Sequence, residues 1–172
     1  MANNVRTDRS RFALQLLVNL LIAAIGPQLV QVFASYWDYA ISFVVGVVII
    51  SLFDRRYPRY LFWSAVFLAY LTWEIILSNL SLAWLIIQPN PKLDPGIVAI
   101  PLTVTGGLEI TVLASSITLT PGTLTVDLGT DAKGRTVLYV HNLRVGDPEQ
   151  FRRSVKDGFE RMILRISQGG AQ

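Results

Sequence analysis

Between Tyr60 and Gln88 a single charged residue, Glu74, sits in the middle of a long apolar run. Lipid solvates a carboxylate poorly, so an ionisable group in such a run faces a protein interior, a cavity or a partner charge. Glu74 is therefore a candidate for relaying protons or cations, or for an ion pair with a neighbouring chain. The plainer alternative puts it at headgroup level, where the helix overshoots the bilayer. Ser78, one turn on, and Asn79 extend a polar stripe from it. A second group is Thr118, Thr120, Pro121, Gly122 and Thr123. Its hydroxyls suit bonding to backbone groups around a tight turn, and the same loop is a candidate docking surface for another protein.

Other polar residues carry less. Asp38, between Trp37 and Tyr39, reads as a solvated loop carboxylate at the membrane surface. Arg55, Arg56 and Arg59 read as topology determinants or contacts to anionic lipid. His141 is the sole histidine and falls in the alternating stretch Leu138–Leu143, where a packed strand histidine is expected. With no cysteine and one histidine, no metal site or thiol chemistry is expected. The run Gly129–Gly134, GTDAKG, lacks the Lys-Ser/Thr pair of a phosphate loop and reads as a hairpin turn. No nucleophile motif is present, so neither an enzyme nor a cofactor is expected.

The elements that must position these residues follow from a charge content of 16%, low against roughly 25% for a globular domain. A net charge of +3 is too small to point to nucleic acid. After the polar opening MANNVRTDRSR, an apolar run covers Phe12–Gly26, and a second covers Tyr39–Phe53. A cleaved signal is disfavoured, because no small-x-small site leads into a polar mature region. Pro27 is expected to end the first helix. Each run is about 15 to 17 residues, at or just below the minimum of about 17 for a spanning helix. Ser42 and Gly46, four apart, would allow close helix contact. The third segment, Tyr60–Gln88, would be roughly 43 Å long as a helix, more than a hydrocarbon core of about 30 Å. Its part beyond Ser78 and Asn79 is expected to emerge or run along the interface.

At QPNPKLDPG the prolines stop any helix and mark a boundary. The expected organisation is a membrane-embedded helical region over 1–88, a Pro-rich linker over 89–95 and a small soluble domain over 96–172. A strand is predicted at Gly96–Val104, at a sheet edge because of Pro101. A helix follows from about Gly107 to Ile117, then paired antiparallel strands at Thr123–Leu128 and Thr136–Leu143. Asp147 caps a last helix with Pro148 in its first turn, and Phe151, Val155, Phe159, Met162 and Ile166 share one face. The fold class is a membrane protein with about three hydrophobic helices and a small α+β domain of order β-α-β-β-α.

The stretches NPKLDPGIVAIPL, LEITVLASSITLTPGTLTVDL and VLYVHNL, with the ITLTPGT block at Ile117–Thr123, resemble the E subunit of Mrp-type (Mnh) multisubunit Na+/H+ antiporters. The resemblance covers nearly the whole chain. Gly106-Gly107 departs from it, where relatives more often carry polar capping residues. It implies a non-enzymatic accessory subunit of a monovalent cation (Na+)/proton antiporter in the cell membrane. Its expected partners are the other subunits and membrane lipid, with Na+ and H+ transported by the complex. It also implies that translocation rests mainly with the large subunits, and that the C-terminal domain is cytoplasmic. The arginines alone argue the reverse: positive-inside counting keeps the N-terminus and the Arg55–Arg59 turn in the cytoplasm and pushes the domain outside. The family orientation is preferred, since partner subunits can override a bias of a few charges. The rival reading is a membrane-anchored regulatory or ligand-sensing domain.

Overall fold

The computed structural model describes residues 2–30, 35–91 and 93–168. Part of the connection before Tyr36 (residues 31–34) and Lys92 of the linker lie outside them. The element order is α1 (Ala2–Val30), α2 (Tyr36–Phe53), α3 (Tyr57–Ile87), β1 (Gly96–Pro101), α4 (Gly107–Leu119), β2 (Thr123–Thr130), β3 (Thr136–Asn142), α5 (Pro148–Val155), a π turn (Lys156–Glu160) and α6 (Arg161–Ser167). Among the described residues, three stretches are long and apolar enough to cross a membrane: Ser10–Gln28, Tyr36–Phe53 and Tyr57–Ile87. The chain forms two compact units, one reaching to Ser64 and including the end from Ile166, the other running from Ala65 to Arg165.

In the first unit α1 and α2 form a hairpin whose seam is made of small and polar residues. Gln15, Asn19 and Gly26 share one face of α1, and Ser42, Gly46 and Ile50 one face of α2. A Cβ on Gly26 would touch Ser42 Oγ at 3.4 Å, and one on Gly46 would collide with the Asn19 side chain. Asn19 is fully buried and donates from Nδ2 to Tyr57 Oη at 3.1 Å. Gln15 Nε2 donates to Asp54 Oδ2 at 2.9 Å, and Phe12 packs on the rings of Tyr57 and Tyr60. Such seams suit a lipid setting, where helices associate through close packing and hydrogen bonds. The small residues expected to receive a neighbouring helix thus serve the chain's own hairpin.

Three expectations need correction here. Pro27 does not end α1, which continues to Val30; the ring removes one amide donor close to the end, and the helix absorbs that loss. Asp38 is not in a loop. It lies in the first turn of α2 and its Oδ2 accepts from Ser35 N at 2.7 Å, which satisfies a backbone amide that precedes the helix. Helix α3 starts at Tyr57, before the expected Tyr60, because Pro58 in a first turn forfeits no hydrogen bond.

The second unit holds part of α3 and the β-α-β-β-α domain. Its antiparallel sheet has the order β1-β3-β2, so Pro101 is on an edge strand. Strand β1 stops at Pro101 and not at Val104, since Thr103 and Val104 give their amides to a side chain instead of a strand. Val98, Ile100, Leu138 and Val140 are buried, as are Leu113 and Ile117 of α4 and Val155, Phe159 and Ile163. On the opposite sheet face, Ile97 and Leu124 flank His141 and are exposed. The last helix begins as expected, with Asp147 accepting from Glu149 N at 2.9 Å. The π turn then inserts a residue into its repeat, so the buried apolar position after Phe159 is Ile163 and not Met162. The hairpin at Asp131–Arg135 is closed by Asp131 Oδ1, which accepts from Lys133 N and Arg135 N.

Candidate functional site

Helical spacing puts Tyr70, Glu74 and Ser78 one above another on α3. Tyr70 stands beside Glu74, and the Tyr70 ring meets Phe159 edge-on, with centroids 5.3 Å apart. Gly158 lies beneath the Tyr70 hydroxyl so closely that any Cβ there would collide with it. Glu74 is half-buried and has no ion pair among the described residues.

The ITLTPGT block ends α4 and turns the chain into β2. Thr123 N donates to Thr120 O at 3.2 Å across Pro121-Gly122, and Gly122 has φ +93°. Pro second and Gly third is what a type II turn requires. Thr120 Oγ1 and Thr123 Oγ1 lie 2.7 and 2.6 Å from the Ile117 carbonyl and 2.7 Å from each other, a small hydroxyl cluster that closes the open end of α4. The turn-fixing role expected of these threonines is therefore present.

Folding brings Glu74 and part of this loop together. A cavity of about 120 Å³ is lined by Tyr70, Glu74, Thr120, Thr123, Ser154 and the apolar side chains of Ile117, Phe151, Val155 and Phe159. The loop's other members go elsewhere. Pro121 and Gly122 line a second cavity of about 150 Å³ with Ser78, Ser81, Leu85 and Arg144. Thr118 points away, accepting from Thr125 N at 3.1 Å and bordering a shallow depression with Ser115 and Leu119. Ser78 is spent on its own helix, donating to the Glu74 carbonyl at 2.6 Å, and Asn79 likewise donates to Ile75 O.

Glu160 was not expected at all. It is buried in the π turn, and its Oε1 accepts from the amides of Thr103 and Val104, the latter at 3.0 Å. Lys156 Nζ lies 3.3 Å from its Oε2 and donates to Pro101 O at 2.8 Å. The pair fixes the exit of β1. Only the π turn aims Glu160 inward, and helical spacing gives no sign of it. Tyr70 was also missed, although its place one turn before Glu74 is a signal that could have found it. Among the described residues, no three His, Asp or Glu residues are grouped to hold a metal.

Residues 10–166 match the model of the MNHE family, described as Na+/H+ ion antiporter subunit. The chain belongs to that family. Among its relatives, the E subunit of the Na+/H+ antiporter of Alkalihalophilus pseudofirmus is 35% identical over 161 residues, covering 90% of this chain and 99% of the relative. The corresponding E subunit of Bacillus subtilis is 32% identical over 164 residues, with 90% and 99% covered. A chain in the structure of the membrane-bound sulfane sulfur reductase, an archaeal respiratory membrane complex, has a similar fold. Its TM-score is 0.53 at 24% identity, with 88% of this chain and 98% of that one covered. The E-subunit family thus accounts for both halves of this membrane protein, helices and α+β domain together.

Proposed function

We propose that this E-type subunit is a non-catalytic accessory part of a multisubunit Na+/H+ antiporter, supporting the assembly or activity of subunits that carry the ions. The observation behind this reading is the family match, which runs through the spans and the domain without a break. Its partners would be the other subunits and the surrounding lipid, with Na+ and H+ exchanged by the complex. Residues 1–88 would be the membrane-embedded helical region, with the later part of α3 standing against the domain, 89–95 a linker and 96–172 a cytoplasmic domain. Thr118 and its depression would meet another subunit, while Thr120, Pro121, Gly122 and Thr123 shape the loop from within. Glu74 would be this chain's contribution to the ion pathway.

Two measurements test the reading. Tagged chain should co-purify with several polytopic proteins, and its deletion should impair antiport by the rest. Stable accumulation of the chain alone, with full antiport in its absence, would refute it. For Glu74, the Glu74→Ala variant should lose exchange in membrane vesicles at normal abundance, and Glu74→Asp should lose less.

A further inference from the structure

We infer that the cavity beside Glu74 is a binding site for a small monovalent cation, with the Glu74 carboxylate as its charged ligand. The protons of the threonine and serine hydroxyls around it are already committed. Those of Thr120 and Thr123 are shared among the Ile117 carbonyl, the Thr120 carbonyl and the 2.7 Å contact between the two hydroxyls, and Ser154 donates to the Phe151 carbonyl at 2.8 Å. What these groups can still offer the cavity is lone pairs. None of the described residues lining it is basic, so the carboxylate meets no positive charge there.

Polar groups that are all oxygens select hard cations over soft ones. One carboxylate balances one positive charge, whereas a divalent ion would be left half-neutralised. At about 120 Å³ the cavity has room for about four water-sized bodies, which fits a sodium ion with part of its hydration. The apolar walls from Ile117, Phe151, Val155 and Phe159 lower the local dielectric and strengthen the attraction. Because the ligands come from α3, the α4–β2 turn and α5, a bound ion would tie α3 to the domain.

The choice of sodium as probe rests on the antiporter-subunit reading; the chemistry of the cavity does not. The test uses the purified complex containing wild-type chain or the E74Q variant, which keeps the shape and removes the charge. Limited proteolysis of the C-terminal domain is compared in NaCl and in equal choline chloride. Wild type should be cleaved several-fold more slowly in NaCl, the E74Q variant equally in both salts, and the E74D variant should retain part of the protection. Equal cleavage of wild type in both salts, or sodium protection that survives in E74Q, would overturn the inference. Failure of the subunit reading looks different: the chain would emerge without partners.

Discussion

The α1–α2 hairpin and the α/β unit solve the same packing problem with opposite materials. The hairpin closes on glycine, serine and two amides, with Asn19 set into the space above Gly46. The domain closes on Leu113, Ile117, Val155, Phe159 and Ile163. Water drives the second kind of core by expelling apolar surface. Between two helices in lipid that drive is missing, so close approach and hydrogen bonding must serve. One device is common to both regions: a glycine leaves room for a polar side chain from another helix. Gly46 does so for Asn19, and Gly158 for the Tyr70 hydroxyl.

The contrast is broken most severely in the domain. Phe159→Ala removes a buried ring that also braces Tyr70, and should cost about 3–5 kcal/mol. A domain of this size has little stability to spare, so protease resistance of the domain should fall sharply; unchanged resistance would refute the placement. Next comes Glu160→Ala, which leaves the amides of Thr103 and Val104 without their acceptor. A loss of about 1–3 kcal/mol is expected for the buried Val104 amide, read as a lower denaturation midpoint of the domain.

In the hairpin, Gly46→Ala forces a methyl group into Asn19, and overpacking of this kind costs about 1–3 kcal/mol. Adding Asn19→Ala should recover part of that loss by vacating the space. Additive losses in the double variant would show that the two residues are not in contact. The smallest effect sharpens the comparison through pH. The Gln15 amide, then the Arg56 backbone amide, hold the Asp54 carboxyl below the usual carboxylate range. A depressed folded value means that this contribution is present above the unfolded value and is lost as pH falls through the folded one. Gln15→Leu should therefore lower hairpin stability slightly at neutral pH and flatten its decline in acid. An acid titration of the thermal midpoint of both proteins checks this.

Much of the architecture was legible. The three apolar segments are visible as runs without charge, and the strand-helix order from Gly96 follows from alternation, the Pro-Gly turns and the Asp147-Pro148 start. These signals are local: they depend on the period of a helix or strand and on what a turn tolerates. Glu74 stood out by its isolation, and the ITLTPGT block carried the family resemblance. The convergence of Glu74 with Thr120 and Thr123 was not legible, because nearly fifty residues of chain separate them and no short-range rule fixes that distance.

Asn19 was passed over inside a run that read simply as apolar, since an uncharged amide leaves little mark on average hydropathy. Glu160 was hidden for another reason. A one-residue insertion in the helical repeat rotates everything beyond it, turning an apparently solvent-facing carboxylate toward the amides of Thr103 and Val104 and replacing Met162 by Ile163 in the core. The sequence alone therefore determined the elements, their order and the membrane setting, all of which follow from periodicity and composition. Tertiary structure decided which glycines are seams, which carboxylate is buried and which residues share the cavity. Those outcomes depend on where separate helices meet, and the packing of side chains against one another settles that, not the preference of any single segment.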